Sequence, residues 1–310
     1  MPIPESQFEN WKSPGASKGS KAAADKIEML LGLDRSPTEQ SDGSFKILRQ
    51  GSYKNDTHTR SSSDVDIIAK LTSAWRRDLS ELDTDEEERY HQNSSPTDYG
   101  YSQFRQDVWS WMQKKFDRDV ITWNGKAIKI SKESSRLSVD VDLVPCVDYR
   151  YYTSYPEYGE PKYKSGIAFK SRYGSEMIIN YPSLHYENGC RKHGNYKETV
   201  RIFKNARDYY NDHFDTPWTI GAHSYGIECL IYNVPERILK RSNRADRFDA
   251  TLSFLDGAAY TTFNQVSEME PLFGDSNTQW NTDEADYLII RLREMWNKWY
   301  DKGKHAQLLH

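Results

Sequence analysis

Gly51-Ser52-Tyr53, followed by Asp64-Val65-Asp66-Ile67-Ile68-Ala69, is the stretch that decides how this chain is read. Phe45 to Gln50 alternates as a strand does, and Gly51-Ser52 breaks the alternation. Val65 to Ala69 is rich in β-branched and apolar residues and predicts a second strand. On a strand, residues i and i+2 share a face. Asp64 and Asp66 therefore present two carboxylates side by side. Such a pair repels unless a cation lies between its members. A hard divalent ion, Mg2+ or Mn2+, is the natural partner. Gly51 permits a tight turn with close backbone approach, and its amide with the Ser52 hydroxyl can hold a phosphate oxygen.

A second run, Ser138-Val139-Asp140-Val141-Asp142-Leu143-Val144-Pro145, offers another acid pair at i and i+2. Acids among Val and Leu are poorly solvated and need partners. If this strand lies beside the first, three or four carboxylates converge. That constellation suits two-metal phosphoryl transfer, one ion for the attacking hydroxyl and one for the triphosphate.

The rest of the chain bounds what surrounds these acids. It has 310 residues, 36% hydrophobic and 28% charged, enough for a core in one large or two modest domains. Net charge is -4 and the pI is about 6.1, without the basic excess that long nucleic acid demands. No apolar run approaches the roughly 18 residues of a membrane span, and Met1-Pro2-Ile3-Pro4-Glu5 has neither a basic nor an apolar leader region, so secretion is not expected. Three cysteines, Cys146, Cys190 and Cys229, make no disulfide framework, so a cytoplasmic setting is expected.

Periodicity predicts helices over Lys21 to Leu33, Tyr99 to Phe116, Glu198 to Phe214, Ser224 to Tyr232, Asp246 to Gln265 and Asp283 to Lys302. Strands are expected at Ala127 to Ile130 and Leu137 to Val147. Ser36 to Ser44 and Tyr53 to Ser63 read as loops, and the acidic stretch Asp78 to Pro96 as a surface insertion or linker. The expected division is an α/β front at 1–180 and a mainly helical back at 181–310.

Gly51-Ser52-Tyr53, Thr57, Thr59-Arg60, Ser63-Asp64-Val65-Asp66 and Val141-Asp142-Leu143-Val144-Pro145 together resemble the polymerase-β-like nucleotidyltransferase superfamily. Within it, the chain is similar to the cGAS/DncV-like and oligoadenylate-synthase-like enzymes of bacterial anti-phage (CBASS) signalling. The resemblance implies an α/β (α+β) nucleotidyltransferase core with a mixed β-sheet, then a mainly helical C-terminal lobe. It implies that Gly51 and Ser52 bind the nucleoside triphosphate and that Asp64, Asp66 and a third acid hold Mg2+. Asp142 is preferred as that third acid, because the family places it before a hydrophobic pair and a proline; Asp140 is the alternative.

Two further matches lie in the back half. Val200-Arg201-Ile202-Phe203-Lys204 resembles the family helix whose lysine contacts the triphosphate, a role this gives to Lys204. His223-Ser224-Tyr225-Gly226 resembles the family's Ser-Tyr at a helix start, where Ser224 would bind phosphate and Tyr225 stack on a base. A helix N-terminus favours an anion, and stacking holds a base without reading it closely. Taken alone, Lys204 reads as a solvated helix residue, Tyr225 equally as core or ligand contact, and Arg191, Lys192, Lys197, Arg201, Lys204 and Arg207 as one basic helix face.

The implied reaction joins nucleoside triphosphates, ATP with GTP, UTP or CTP, into a cyclic di- or trinucleotide that activates a separate effector protein. The alternatives are a linear oligoadenylate synthase, an RNA- or protein-modifying transferase, and an inactive nucleotide-binding module. The zinc-binding His/Cys cluster of the animal DNA sensor is missing, since Cys190 with His193 is one pair only. Activation by double-stranded nucleic acid is therefore not expected; constitutive competence, or a switch by a regulatory protein partner or small ligand, is. No membrane partner is expected.

Overall fold

The structure, a computed structural model, describes residues 3–15, 18–33, 36, 44–60, 64–133, 135–214 and 219–307, with the side chains of 300–307 outside that set. The loop expected over Ser36 to Ser44 falls mostly outside the described residues, as does Ser63. The chain forms two compact units. One takes Ala16–Tyr53 and Ser63–Ser183; the other takes Met1–Gly15, Lys54–Ser62 and Leu184–His310. The expected division at 180/181 differs from this because the first helix and the segment after the Gly-Ser turn pack with the helical unit. Helix α1 (Glu5–Lys12) buries Phe8 and Trp11 there.

The other unit is built on a seven-stranded mixed sheet. Helix α2 (Lys18–Leu31) precedes it and buries Ala23, Ala24, Ile27 and Leu31, one apolar stripe at helical spacing. Strand β1 (Phe45–Gln50) leads directly into α3 (Gly51–Asn55), then β2 (Val65–Asp78) returns antiparallel to β1. Helices α4 (Thr84–Asn93) and α5 (Tyr101–Gln113) follow, then β3 (Ile121–Thr122), β4 (Ile128–Ile130), β5 (Val141–Ser154), β6 (Lys162–Phe169) and β7 (Ile178–Asn180). The order is β1-β2-β5-β4-β3, with β6 joining the outer half of β5 and β7 joining β6.

β2 and β5 are parallel neighbours in the middle of this sheet. Ile67, Ile68 and Ala69 of β2 and Val141, Leu143 and Cys146 of β5 are buried. Strands covered on both faces read as continuous apolar runs rather than alternating ones. Asp66 and Asp142 lie at their entry; Asp148, deeper in β5, is buried with Lys70 at 2.8 Å and Arg150 at 3.2 Å as partners.

The acidic stretch at Asp78 to Pro96 is not a linker. β2 extends into it, and α4 forms within it. Asp83 caps that helix by accepting from the Glu86 amide at 2.9 Å. Tyr90 anchors it against Tyr152 and Tyr155. Glu86 accepts the Tyr155 amide at 2.8 Å and Arg89 donates to Tyr155 O at 3.2 Å, while Asp85, Glu87 and Glu88 form the solvated face that the charge run implied.

The helical unit contains α6 (Pro182–Arg191), α7 (Asn195–His213), α8 (Ser224–Tyr232), α9 (Glu236–Leu239), α10 (Arg244–Asp256) and α11 (Thr282–Gln307). Phe203, Phe248, Leu252, Leu288, Leu292 and Met295 lie in one core with Phe8. The Asn205 side chain donates to Trp11 O at 2.8 Å and so satisfies one orphan carbonyl at the end of α1. The segment after the Gly-Ser turn is a loop, as expected, only from Asp56 onward. It begins as α3, and Thr57, His58 and Thr59 are buried.

Candidate active site

The Gly-Ser turn and the acids meet at one end of the sheet. Gln50, the last residue of β1, pairs with Asp66 of β2. The chain then turns at Gly51, whose φ is +70. A Cβ at Gly51 would lie 1.9 Å from Asp66 Oδ2 and 2.8 Å from its carboxyl carbon. Glycine is thus required twice, for the left-handed backbone and for the space that the carboxylate fills.

In the parallel pairing, Asp66 stands in register with Asp142. Adjacent strands lie about 4.8 Å apart, so the two side chains are neighbours on one face. Asp64 is exposed at the entry of β2, and its charge acts on Asp142. Burial pushes the Asp142 carboxyl up; Lys129, opposite it on β4, pulls it down, and Asp64 and Asp140 push it up again. Asp140 is differently engaged: its Oδ1 accepts the Lys132 amide at 2.7 Å.

Among the described residues, no three His, Cys, Asp or Glu side chains are already gathered as a metal centre. The three aspartates share a sheet end rather than a closed ligand set. Like charges keep carboxylates apart. Their donor chemistry, hard oxygen from Asp64, Asp66 and Asp142, fits Mg2+ or Mn2+ and not a thiolate-seeking ion.

On the helical unit, Ser224 is the first residue of α8 and half-buried. His223 caps the helix by accepting from the Gly226 amide at 2.9 Å. Tyr225 keeps 39% of its surface exposed, while its hydroxyl donates to Gln265 Oε1 at 2.8 Å. Burial around that hydroxyl, with the nearby Cys229, Glu228 and Glu270, raises its pKa well above the ordinary phenol value. The ring is open where the hydroxyl is enclosed. The His185 ring lies 5.4 Å away, tilted by 33°.

Lys204 is not solvated. It is fully buried on α7, and its ammonium donates to Glu228 Oε1 at 2.6 Å and to Thr57 O at 3.1 Å. A triphosphate contact would require exchanging that carboxylate for phosphate. The basic helix face also dissolves on inspection of partners. Lys192 lies over Tyr232, Lys197 over Tyr186, Arg201 donates to Asp56 O, and Arg207 donates to Ala222 O.

Glu228, His185 and Thr57 were not singled out from the sequence as site residues. A signal existed for Glu228, the one charge in Ile227-Glu228-Cys229-Leu230-Ile231, where burial demands partners. Those partners come from sequence-distant residues, so no local pattern names them.

The whole chain has relatives of known type. It is 33% identical over 306 residues to a cyclic nucleotide synthase, CdnE01, of Staphylococcus haemolyticus, covering 96% of this chain and 100% of that one. The chain belongs to the cGAS/DncV-like nucleotidyltransferase family. The family's model for the C-terminal helical domain matches residues 187–297 of this nucleotidyltransferase. The cyclic UMP-AMP synthase of Rhodothermus marinus is 32% identical, over 96% of this chain and 99% of its own. A solved structure of the Rhodothermus marinus CdnE c-UMP-AMP synthase with Apcpp and Upnpp superposes with a TM-score of 0.82 at 30% identity, over 96% of this chain and 98% of the other. The mixed sheet and helical back of this nucleotidyltransferase are thus the family's fold. Among the described residues, no helix is long and apolar enough to cross a membrane.

Proposed function

We propose that this nucleotidyltransferase joins nucleoside triphosphates into a cyclic di- or trinucleotide messenger that activates an effector protein in bacterial anti-phage signalling. The observation that carries the reading is the juxtaposition of Asp66 and Asp142 beneath the Gly51 turn. The relatives named as cyclic nucleotide and cyclic UMP-AMP synthases give the class of product. Three carboxylates, Asp64, Asp66 and Asp142, hold the divalent ions in this reading, and Asp140 stays with its backbone amide. Such ions, when bound, lower the pKa of the attacking hydroxyl and neutralise charge on the triphosphate.

The chain's own groups do the rest. The Gly51 amide and Ser52 hydroxyl hold a phosphate oxygen. Ser224, at the positive end of α8, takes another. Tyr225 offers its exposed ring to a base. Lys204 serves the framework through Glu228. The reaction takes place in the cytoplasm, where its substrates are.

The test is incubation with all four radiolabelled nucleoside triphosphates and Mg2+ or Mn2+, then phosphatase treatment and mass spectrometry. A phosphatase-resistant product with the mass of a closed ring supports the proposal. A product with a removable terminal phosphate overturns it in favour of a linear chain. Absence of any product from an otherwise folded protein overturns it in favour of a nucleotide-binding module.

A further inference from the structure

The Glu228 carboxylate is the hub of a buried polar cluster, with only 3% of the residue exposed. Its Oε1 accepts from Thr57 Oγ1 at 2.6 Å and from Lys204 Nζ at 2.6 Å. Its Oε2 accepts from Asn55 Nδ2 at 3.2 Å and interacts with His185 Nε2 at 2.9 Å. Tyr196 donates its hydroxyl to the Glu228 carbonyl at 3.1 Å. Burial pushes the carboxyl up, but the Lys204 charge and the bonds from His185 and Lys204 outweigh it and hold it far below the usual carboxylate range.

What converges on this carboxylate is informative. Asn55 ends α3, the helix that starts with Gly51-Ser52, and Thr57 follows it. His185 lies beside the Tyr225 ring. Lys204 also holds the Thr57 carbonyl, so Thr57 is gripped at both its hydroxyl and its backbone. A buried charge that four donors satisfy has one low-energy arrangement; removing a donor or the charge leaves unpaired groups that must move. The cluster touches the outgoing end of the phosphate-binding turn and the base-stacking ring while having almost no surface of its own.

We infer that Glu228 is a positioning residue for the transfer reaction, fixing the segment that leaves Gly51-Ser52 through Asn55 and Thr57, and the Tyr225 ring through His185. The inference rests on the proposed synthase reading for its kinetic consequence, but not for its structural one. Glu228 does not touch substrate. Loss of the cluster should slow turnover of bound nucleotide more than it weakens binding, because misplacement of reacting groups by a fraction of an ångström costs rate.

The experiment uses the full chain. Glu228→Gln removes the charge, and because it strands a buried lysine it can fail to fold. Thr57→Val keeps the shape and deletes one tether; Thr57→Ser keeps the hydroxyl. Steady-state kinetics with nucleoside triphosphates and Mg2+ is combined with hydrogen exchange followed by mass spectrometry. The expected result for Thr57→Val is a kcat about tenfold lower, a KM within about threefold, and exchange about tenfold faster in peptides covering 51–59, with peptides of α10 unchanged. Thr57→Ser should restore both. Wild-type kcat and unchanged exchange at 51–59 in Thr57→Val overturn the inference. So does a loss of rate that only tracks the unfolded fraction. If the wild type makes no product while the valine variant still exchanges faster at 51–59, the synthase reading falls and the tether stands.

Discussion

The carboxylate of Asp66 fills the space that a side chain on Gly51 would need, with Oδ2 at 1.9 Å from the ideal Cβ position. The Gly51 turn and the acid are thus packed parts of one object. Gly51→Ala should fail for two reasons. A left-handed backbone costs a residue other than glycine about 1–2 kcal/mol, and the new methyl must displace the carboxylate. Turnover should fall at least about tenfold, with Tm lower by a few degrees. Gly125→Ala, where nothing lies within 4 Å of an added Cβ, is the control and should behave as wild type.

The two acids of the second strand should separate cleanly. Asp142 stands in register with Asp66, whereas Asp140 accepts the Lys132 amide. Asp142→Asn should reduce kcat by about a hundredfold or more with little change in Tm. Asp140→Asn should cost at most about tenfold in rate and show as a small loss of stability, about 1 kcal/mol for a weakened hydrogen bond. Reversal of that order would reassign the third acid. Chelation of divalent ions should abolish turnover of the wild type, and Asp64→Asn with Asp66→Asn should leave no recoverable rate when they are restored.

The acid limb of the pH–rate profile should carry the signature of Asp142. Burial, with Asp64 and Asp140, raises its carboxyl, and Lys129 opposes the rise. Only the charged form can serve a metal, so activity should fall as pH drops through a value above that of an ordinary aspartate. Lys129→Met removes the opposing charge and should move the limb to higher pH. More Mg2+ favours the charged form and should move it lower. The stability effect has the opposite sign. A folded pKa above the unfolded one means the folded state binds more protons within that window, so stability of the metal-free protein falls as pH rises through it.

Tyr225 offers an open ring with a tethered hydroxyl. Tyr225→Ala should raise the nucleotide KM about tenfold, in keeping with about 1–3 kcal/mol for base stacking. Tyr225→Phe loses only the bond to Gln265 and should leave KM within about twofold. A large drop in Tm for the alanine variant, with KM unchanged in what remains folded, would make the ring a packing element.

Much of this was legible before any tertiary information. The strands at Phe45 to Gln50 and from Val65, and the helix at Ser224 to Tyr232, follow from local period and residue chemistry. Where the reading went astray, a distant partner decided. Asp78 to Pro96 looked like a surface insertion or linker, because its capping by Asp83 is local but its Tyr90 anchor is not. Lys204, taken alone, looked like a solvated helix lysine; Glu228, on another helix, makes its burial tolerable.

The amino-acid sequence by itself supplied the candidates for phosphate and metal chemistry, and determined that the front is built of strands and the back of helices. These properties depend on neighbours along the chain. Only the tertiary structure decided that β2 pairs with β5 so that Asp66 faces Asp142, that Gly51 closes on Asp66, and that Glu228 gathers Asn55, Thr57, His185 and Lys204. The physical reason is that register and burial are set by contacts between segments far apart in sequence. A charge becomes a ligand or a strut according to what the fold places against it.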